Sequence, residues 1–304
     1  MKIVFMGTPE FAIPSLEKLV NSNYSVELVV SAPDKERGRG KQISPTPIKQ
    51  FAIDRGLKVL TPVSLKDENF IEQLRAVQAD LFVIVAFRIL PKDVFSIPKR
   101  GSFNLHGSLL PKYRGAAPIQ WSLINGDKET GVTTFFLDER VDTGKIILRE
   151  TLAIDDDDDF GSLHDKMMIL GAETVLKTVD MINKGFYELN SQDNSLASPA
   201  PKITKEICKI DWSKSVYQIH NLVRGLSPYP AAFFDYNEKS YKVYKTKVIE
   251  SRIVNDQQDS FVINQTKKEI FIHTKDGCLQ ILELQQEGRK RMSAEEFLRG
   301  SSIL

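Results

Sequence analysis

The stretch Asp80–Phe87 (DLFVIVAF) constrains this chain more than any other. It is short for a helix and almost free of polar alternation, so as a strand it needs cover on both faces. Such a strand belongs at the centre of a parallel sheet flanked by helices. The surrounding sequence keeps that rhythm. Lys2–Met6 is an apolar run ended by Gly7, and Phe11, Leu16, Leu19 and Val20 follow at helical spacing. Ser25–Ser31 reads as a strand, and Pro47–Arg55 as a helix opened by proline and closed by Gly56 before the short strand Leu57–Leu60. Leu65–Val77 is helical, Ser102–His106, Gly131–Asp138 and Lys145–Ile154 are strands, and a helix covers Ser162–Asn183. This succession predicts an α/β fold with a doubly wound, mainly parallel sheet.

The texture changes near residue 185. Asn190–Pro201 (NSQDNSLASPAP) lacks periodicity and reads as a linker. A helix at Val216–Leu226 precedes five short strand-like pieces: Ala232–Tyr236, Ser240–Ile249, Phe261–Ile263, Glu269–His273 and Cys278–Leu284. Five strands in about a hundred residues suggest a small OB-like β-barrel. The expected division is residues 1–189, a linker at 190–205, and a second domain at 206–304. Ser293 and Glu296 match a capping box for a last helix, and the five aspartates Asp155–Asp159 read as a solvated loop.

Composition narrows the function classes. Forty-one basic against 40 acidic residues in 304 leave a formal charge of +1, so any cationic surface is local. Two cysteines, Cys208 and Cys278, make no disulfide framework, and four scattered histidines suggest no metal cluster. The start, MKIVFMGTPEF, reads as strand and turn and not as a signal peptide, and no apolar run approaches membrane-spanning length. A cytoplasmic protein away from membranes is expected.

The first turn, Gly7-Thr8-Pro9-Glu10, is no dinucleotide fingerprint, because Pro9 removes a backbone donor where a pyrophosphate needs one. The densest polar cluster begins at Asn104-Leu105-His106-Gly107. Asn104 and His106 share one face of a strand at its carboxyl end, where open α/β sheets place their ligand crevice. An amide beside an imidazole suits acyl transfer: the amide donates to an oxyanion and the imidazole takes a proton. A strand-end histidine bonded to backbone is the other reading of the same short pattern. Asp142, in Val141-Asp142-Thr143-Gly144, would orient the ring if brought beside it, or would merely make an Asx-turn.

These residues carry a resemblance. Asn104–Pro111 (NLHGSLLP), with Tyr113–Gln120 (YRGAAPIQ), resembles the signature of the 10-formyltetrahydrofolate-dependent formyltransferases. The similarity extends through Phe5–Pro9, Pro33-Asp34, Gly38–Lys41, Val141–Gly144, Lys202–Glu206, Ile210–Trp212, Pro228–Ala231 and Gly288–Ala294. The C-terminal motifs and Gly115–Gln120 are most similar to the branch whose acceptor is methionine esterified to initiator tRNA. Leu105 stands where many relatives carry valine, and Ala86–Pro91 is one residue shorter than usual, with Arg88 bordering the folate region.

The resemblance implies a Rossmann-like catalytic domain joined to an OB-like barrel. It implies Asn104, His106 and Asp142 as the catalytic set, and folate contact from Ser108, Leu109, Leu110 and Pro111. The formyl donor would be 10-formyltetrahydrofolate, without a metal, and the partner a charged initiator tRNA met by a monomer. Cations for the tRNA are expected at Arg37, Arg39 and Lys41 in one basic loop, and at Lys202 and Lys205. From residue 201 onward 17 basic and 13 acidic residues leave only +4, so tRNA contact rests on local clusters such as Arg289-Lys290-Arg291. An amino-sugar formyltransferase, a formyl-folate hydrolase and a non-catalytic RNA-binding module are the competing readings.

Overall fold

A computed structural model describes residues 1–37, 42–249 and 261–304, with only the backbone of Glu36, Arg37 and Gln42. The chain forms two compact units.

The first unit comprises Met1–Pro118, Thr130–Leu152 and His164–Pro199. Its sheet contains β1 (Lys2–Gly7), β2 (Ser25–Val30), β3 (Val59–Leu60), β4 (Leu81–Val85), β5 (Ser102–His106), β6 (Glu129–Phe136) and β7 (Ile146–Ala153). The strand order is β7-β6-β5-β4-β1-β2-β3. β1 pairs in parallel with both β2 and β4, and β4 with β5, while β6 runs antiparallel to β5. The centre of the apolar run Asp80–Phe87 is β4, buried at every residue. β1 lies at the point where the strand order reverses, so the carboxyl ends of β1, β4 and β5 border the crevice such sheets use for ligands. Helices cap cleanly around the sheet. Thr46 and Asp67 accept the N3 backbone N–H of Pro47–Asp54 and Glu68–Val77, at 3.1 and 2.9 Å.

Two features of this unit depart from the sequence reading. The basic loop is flanked by a short antiparallel pair, Lys35–Arg37 with Gln42–Ser44, in place of plain coil. A four-residue helix, Lys92–Phe95, lies between β4 and β5.

The second unit comprises Ile119–Glu129, Ala153–Leu163 and Ala200–Leu304. All five expected strands are present as β8 (Ala232–Tyr236), β9 (Lys239–Ile249), β10 (Val262–Gln265), β11 (Ile270–His273) and β12 (Cys278–Gln286). They form an antiparallel sheet in the order β8-β9-β12-β11-β10, with Met292–Ser293 added along β12. Register shifts in β9 at Val243–Thr246 bend it, as bulges do. The curled sheet, a half-barrel, closes on the helix Val216–Leu226 and on Phe234, Tyr241, Leu279, Leu284 and Phe297. The expected cap forms, Ser293 and Glu296 making a reciprocal capping box, and Ser215 and Gln218 make a second one that the sequence reading did not name.

The aspartate run is not simply a solvated loop. Asp158 is buried, accepting from the Asp155 N–H at 2.9 Å and from the Ser162 hydroxyl at 2.7 Å. Asp159 accepts the Ser162 N–H at 2.9 Å, where the helix Phe160–Lys184 begins. Five like charges suggest exposure, but backbone donors and the nearby Arg224 make one of them structural.

Candidate active site

Side-chain direction on β5 follows from its neighbours. Leu105 packs against the helix Phe160–Lys184, where a Cβ on Gly171 would stand 2.7 Å from Leu105 Cδ2. Strand alternation therefore puts Asn104 and His106 on the other face, at the carboxyl edge of the sheet. Asn104 is half-buried and His106 only 6% exposed.

The His106 ring is held from two sides. Its Nε2 lies 2.8 Å from the Tyr113 carbonyl oxygen. A carbonyl can only accept, so Nε2 carries the hydrogen and Nδ1 is the ring atom free to take a proton. Nδ1 faces Asp142 Oδ2 at 3.8 Å, and the Asp142 side chain is 12% exposed. The histidine thus bonds to backbone through Nε2, and a carboxylate faces its other ring nitrogen.

Each partner is itself fixed. Tyr113 has φ +61°, a region bulky residues rarely enter, and its N–H donates to Ser198 Oγ at 2.9 Å. The next N–H, of Arg114, donates to the Ser198 carbonyl at 2.8 Å. Asp142 has φ +56°, which a short polar side chain tolerates, and its Oδ2 accepts the Gly115 N–H at 2.8 Å. Gly115 makes that donation at φ +125°, open in practice only to glycine. Gly144 lets the turn close: a Cβ there would lie 1.7 Å from the Phe136 carbonyl oxygen.

The loop after His106 spends much of its polarity on itself. Ser108 Oγ donates to the Lys112 carbonyl at 2.6 Å. Thr133 Oγ1 donates to the Ser108 carbonyl at 2.7 Å and accepts the Leu110 N–H at 3.1 Å. Leu110 is buried against Phe135 and Ile146. With those two side chains turned inward, the loop offers a ligand its backbone and the half-buried Leu109 and Pro111. Arg88 donates to the Pro62 and Val63 carbonyls at 2.8 and 3.0 Å, and burial pushes its pKa down.

Arg39 and Lys41, and the side chain of Arg37, lie outside the described residues. Lys202 and Lys205 are exposed, and the Lys205 ammonium stands 6.0 Å from the Phe233 ring. Lys205 lines a cavity of about 960 Å³ in the second unit, where Lys209 and Lys242 alternate with Glu206, Asp235 and Glu287. Arg291 is engaged, pairing with Glu283 at 2.5 Å and lying 4.4 Å from the Tyr244 ring centre. Among the described residues no three His, Cys, Asp or Glu side chains are grouped to hold a metal ion.

Two residues of the site escaped the sequence reading, both in the stretch expected to be a linker. Ser198 holds Tyr113 and Arg114, as above. Gln192 Nε2 donates to the Asp142 and Gly144 carbonyls, both at 2.9 Å, while its Oε1 accepts from Arg114 Nε and Nη2 at 3.1 and 2.7 Å. Nothing in the periodicity of that stretch marks them, because their partners are mostly backbone groups distant in sequence.

Comparison with known proteins shows the family. Residues 1–179 match the formyl transferase family model and 202–302 the model for the formyl transferase C-terminal domain. A methionyl-tRNA formyltransferase of Ruminiclostridium cellulolyticum is 46% identical over all of this chain and 97% of its own length. One from Flavobacterium johnsoniae is 47% identical over 99% of this chain and 96% of its own. Among solved structures, the sugar 3N-formyl transferase WlaRD superposes with a TM-score of 0.70 at 23% identity, over 95% of this chain and 99% of that one, and so speaks for the fold. Matched by both family models and along its whole length by relatives of the same size, the chain belongs to the formyl transferase family, in the group of the methionyl-tRNA formyltransferases.

Proposed function

We propose that this chain transfers the formyl group of 10-formyltetrahydrofolate to the α-amino group of methionine esterified to initiator tRNA, giving formylmethionyl-tRNA for translation initiation. The observation that carries the chemistry is His106 Nδ1 facing Asp142 across 3.8 Å, with Asn104 on the same face. The acceptor is argued from relatives of the same full length that bear this activity in their names. On this reading residues 1–189 form the catalytic domain and 206–304 the tRNA-binding domain. No described helix is long and apolar enough to cross a membrane, and a role in translation initiation supports a cytoplasmic location.

Free α-amino groups titrate near 7.7–8.0, so at neutral pH a useful fraction of the acceptor is already uncharged. The Asn104 amide donates to the oxygen that gains charge as the amine adds to the formyl carbon. His106 Nδ1 receives the proton the amine loses, and Asp142 stabilises the imidazolium so formed. The new N–C bond is kept, the bond from carbon to N10 breaks, and that proton ends on N10, leaving tetrahydrofolate. Backbone of Ser108–Pro111, with Leu109, would meet the folate. Arg37, Arg39, Lys41, Lys202 and Lys205 would meet phosphates. The donor set fits this chemistry, since acyl transfer between two nitrogens asks for an oxyanion donor and a base.

Incubation with methionyl initiator tRNA and 10-formyltetrahydrofolate tests the reading, with an amino sugar, uncharged tRNA and no acceptor as parallel arms. Formyl transfer to methionyl-tRNA alone is the expected result. Transfer to the sugar, or formate release without acceptor at the same rate, would overturn it.

A further inference from the structure

The segment after the helix Phe160–Lys184 returns to the active site, and one side chain on it touches both loops that hold the reacting pair. Gln192 is half-buried. Its amide nitrogen has two hydrogens, and the structure uses both: one to the Asp142 carbonyl and one to the Gly144 carbonyl, each at 2.9 Å. Its amide oxygen takes two hydrogens from Arg114, whose own Nη2 also donates to Asn194 Oδ1 at 2.9 Å. Arg114 directly follows Tyr113, the residue whose carbonyl holds His106 Nε2. A single amide therefore spans the turn that presents the carboxylate and the loop that orients the imidazole.

From this we infer that Gln192 is a positioning residue: it sets the distance between Asp142 and His106 by clamping their two loops together. The inference deepens the proposed function and rests on it. The physical need is visible in the geometry. Asp142 and His106 make no direct hydrogen bond at 3.8 Å, so neither fixes the other's place. Asp142 also sits at φ +56°, which its short side chain tolerates but does not by itself fix in place. Glutamine is the side chain this position demands. Two carbonyls on one side require a donor, and a guanidinium on the other requires an acceptor. The amide supplies both without a net charge beside Asp142.

Three variants and one cycle test the clamp, read by single-turnover formylation, KM for each substrate and thermal melting. Gln192→Ala is expected to lower the transfer rate about 10–100-fold, as small displacements of reacting groups do, with KM for folate and tRNA within about twofold. Gln192→Glu keeps size and the acceptor for Arg114 but turns a carboxylate onto two carbonyls, so it should lose at least as much. It also serves if the alanine variant melts early. In an Asp142→Ala background, Gln192→Ala should cost less than about twofold more, since a clamp has no effect once its carboxylate is gone. A rate within about twofold of the parent for both Gln192 variants would overturn the inference, as would the full loss recurring without Asp142, or a rise in KM alone. If Asp142→Ala itself left the rate intact, the reading of the site would fall and the clamp with it. A slow Asp142→Ala beside a normal Gln192→Ala would remove the clamp alone.

Discussion

His106 presents Nδ1, not Nε2, to Asp142, because the Tyr113 carbonyl has claimed Nε2 at 2.8 Å. The tautomer is thus set by backbone, so on the proposed reading the carboxylate serves to stabilise charge and not to orient the ring. Nδ1 and the carboxylate face one another across 3.8 Å, and on that reading an amine delivering its proton to Nδ1 arrives on the side where Asp142 stands.

The first expectation concerns the reacting groups. Asn104→Ala should raise the barrier by about 2.7–4 kcal/mol, the usual cost of one oxyanion donor. His106→Ala should slow transfer about 100- to 10,000-fold through loss of the base. Asp142→Asn isolates charge, since an amide oxygen can still accept the Gly115 N–H. It should fall between the parent and Asp142→Ala. Single-turnover formylation with folding checked by circular dichroism measures all of these, and near-normal rates throughout would refute the assignment.

Gly144→Ala should fail for a steric reason. The added Cβ would meet a backbone carbonyl oxygen at 1.7 Å, and Phe136 lies in a paired strand that cannot yield cheaply. Overpacking of this kind costs about 1–3 kcal/mol and at times more. We expect a loss of about 3 kcal/mol in urea unfolding together with slowed transfer, because relief of the clash displaces Asp142. Parent-like stability and rate would show that the turn has room the structure does not display.

The sheet was legible from its sequence because buried parallel strands are nearly continuous apolar runs, as Leu81–Val85 is, and each expected strand reappears within a residue or two or so. The Asn104 and His106 pair was legible because strand period and chain direction fix face and edge together. What escaped has a shared cause. Gln192 and Ser198 act on backbone atoms of loops about 50 and 85 residues away, and no local pattern records where a loop will pass. Asp158 was misread because a run of charge says nothing of the N–H groups that will meet one member of it.

Salt should reveal the cationic contacts. Each phosphate neutralised by a lysine or arginine releases counterions, so the affinity for tRNA should fall steadily as salt rises. Lys202→Ala and Lys205→Ala should each reduce the slope of log affinity against log salt by about 0.7–0.9, with little change in transfer rate at saturating tRNA. Arg39→Ala is expected to do the same. An affinity unchanged between low and moderate salt would remove the electrostatic basis of recognition.

Acid should weaken the second unit through His220. Burial pushes the His220 pKa below its ordinary 6.5, and the Arg224 charge pushes the same way, while Asp156 opposes them. The ring is held neutral in the folded state, with Nδ1 2.9 Å from the Thr246 hydroxyl oxygen. The unfolded chain therefore binds the proton first as pH falls, so the stabilisation present above 6.5 is lost progressively down through the folded-state value. His220→Gln removes the titrating group while keeping an amide to meet Thr246. Urea midpoints at about pH 7.5 and about pH 5.5 should fall less for this variant than for the parent. Equal falls in the two proteins would mean that other groups carry the acid sensitivity and that His220 titrates alike in both states.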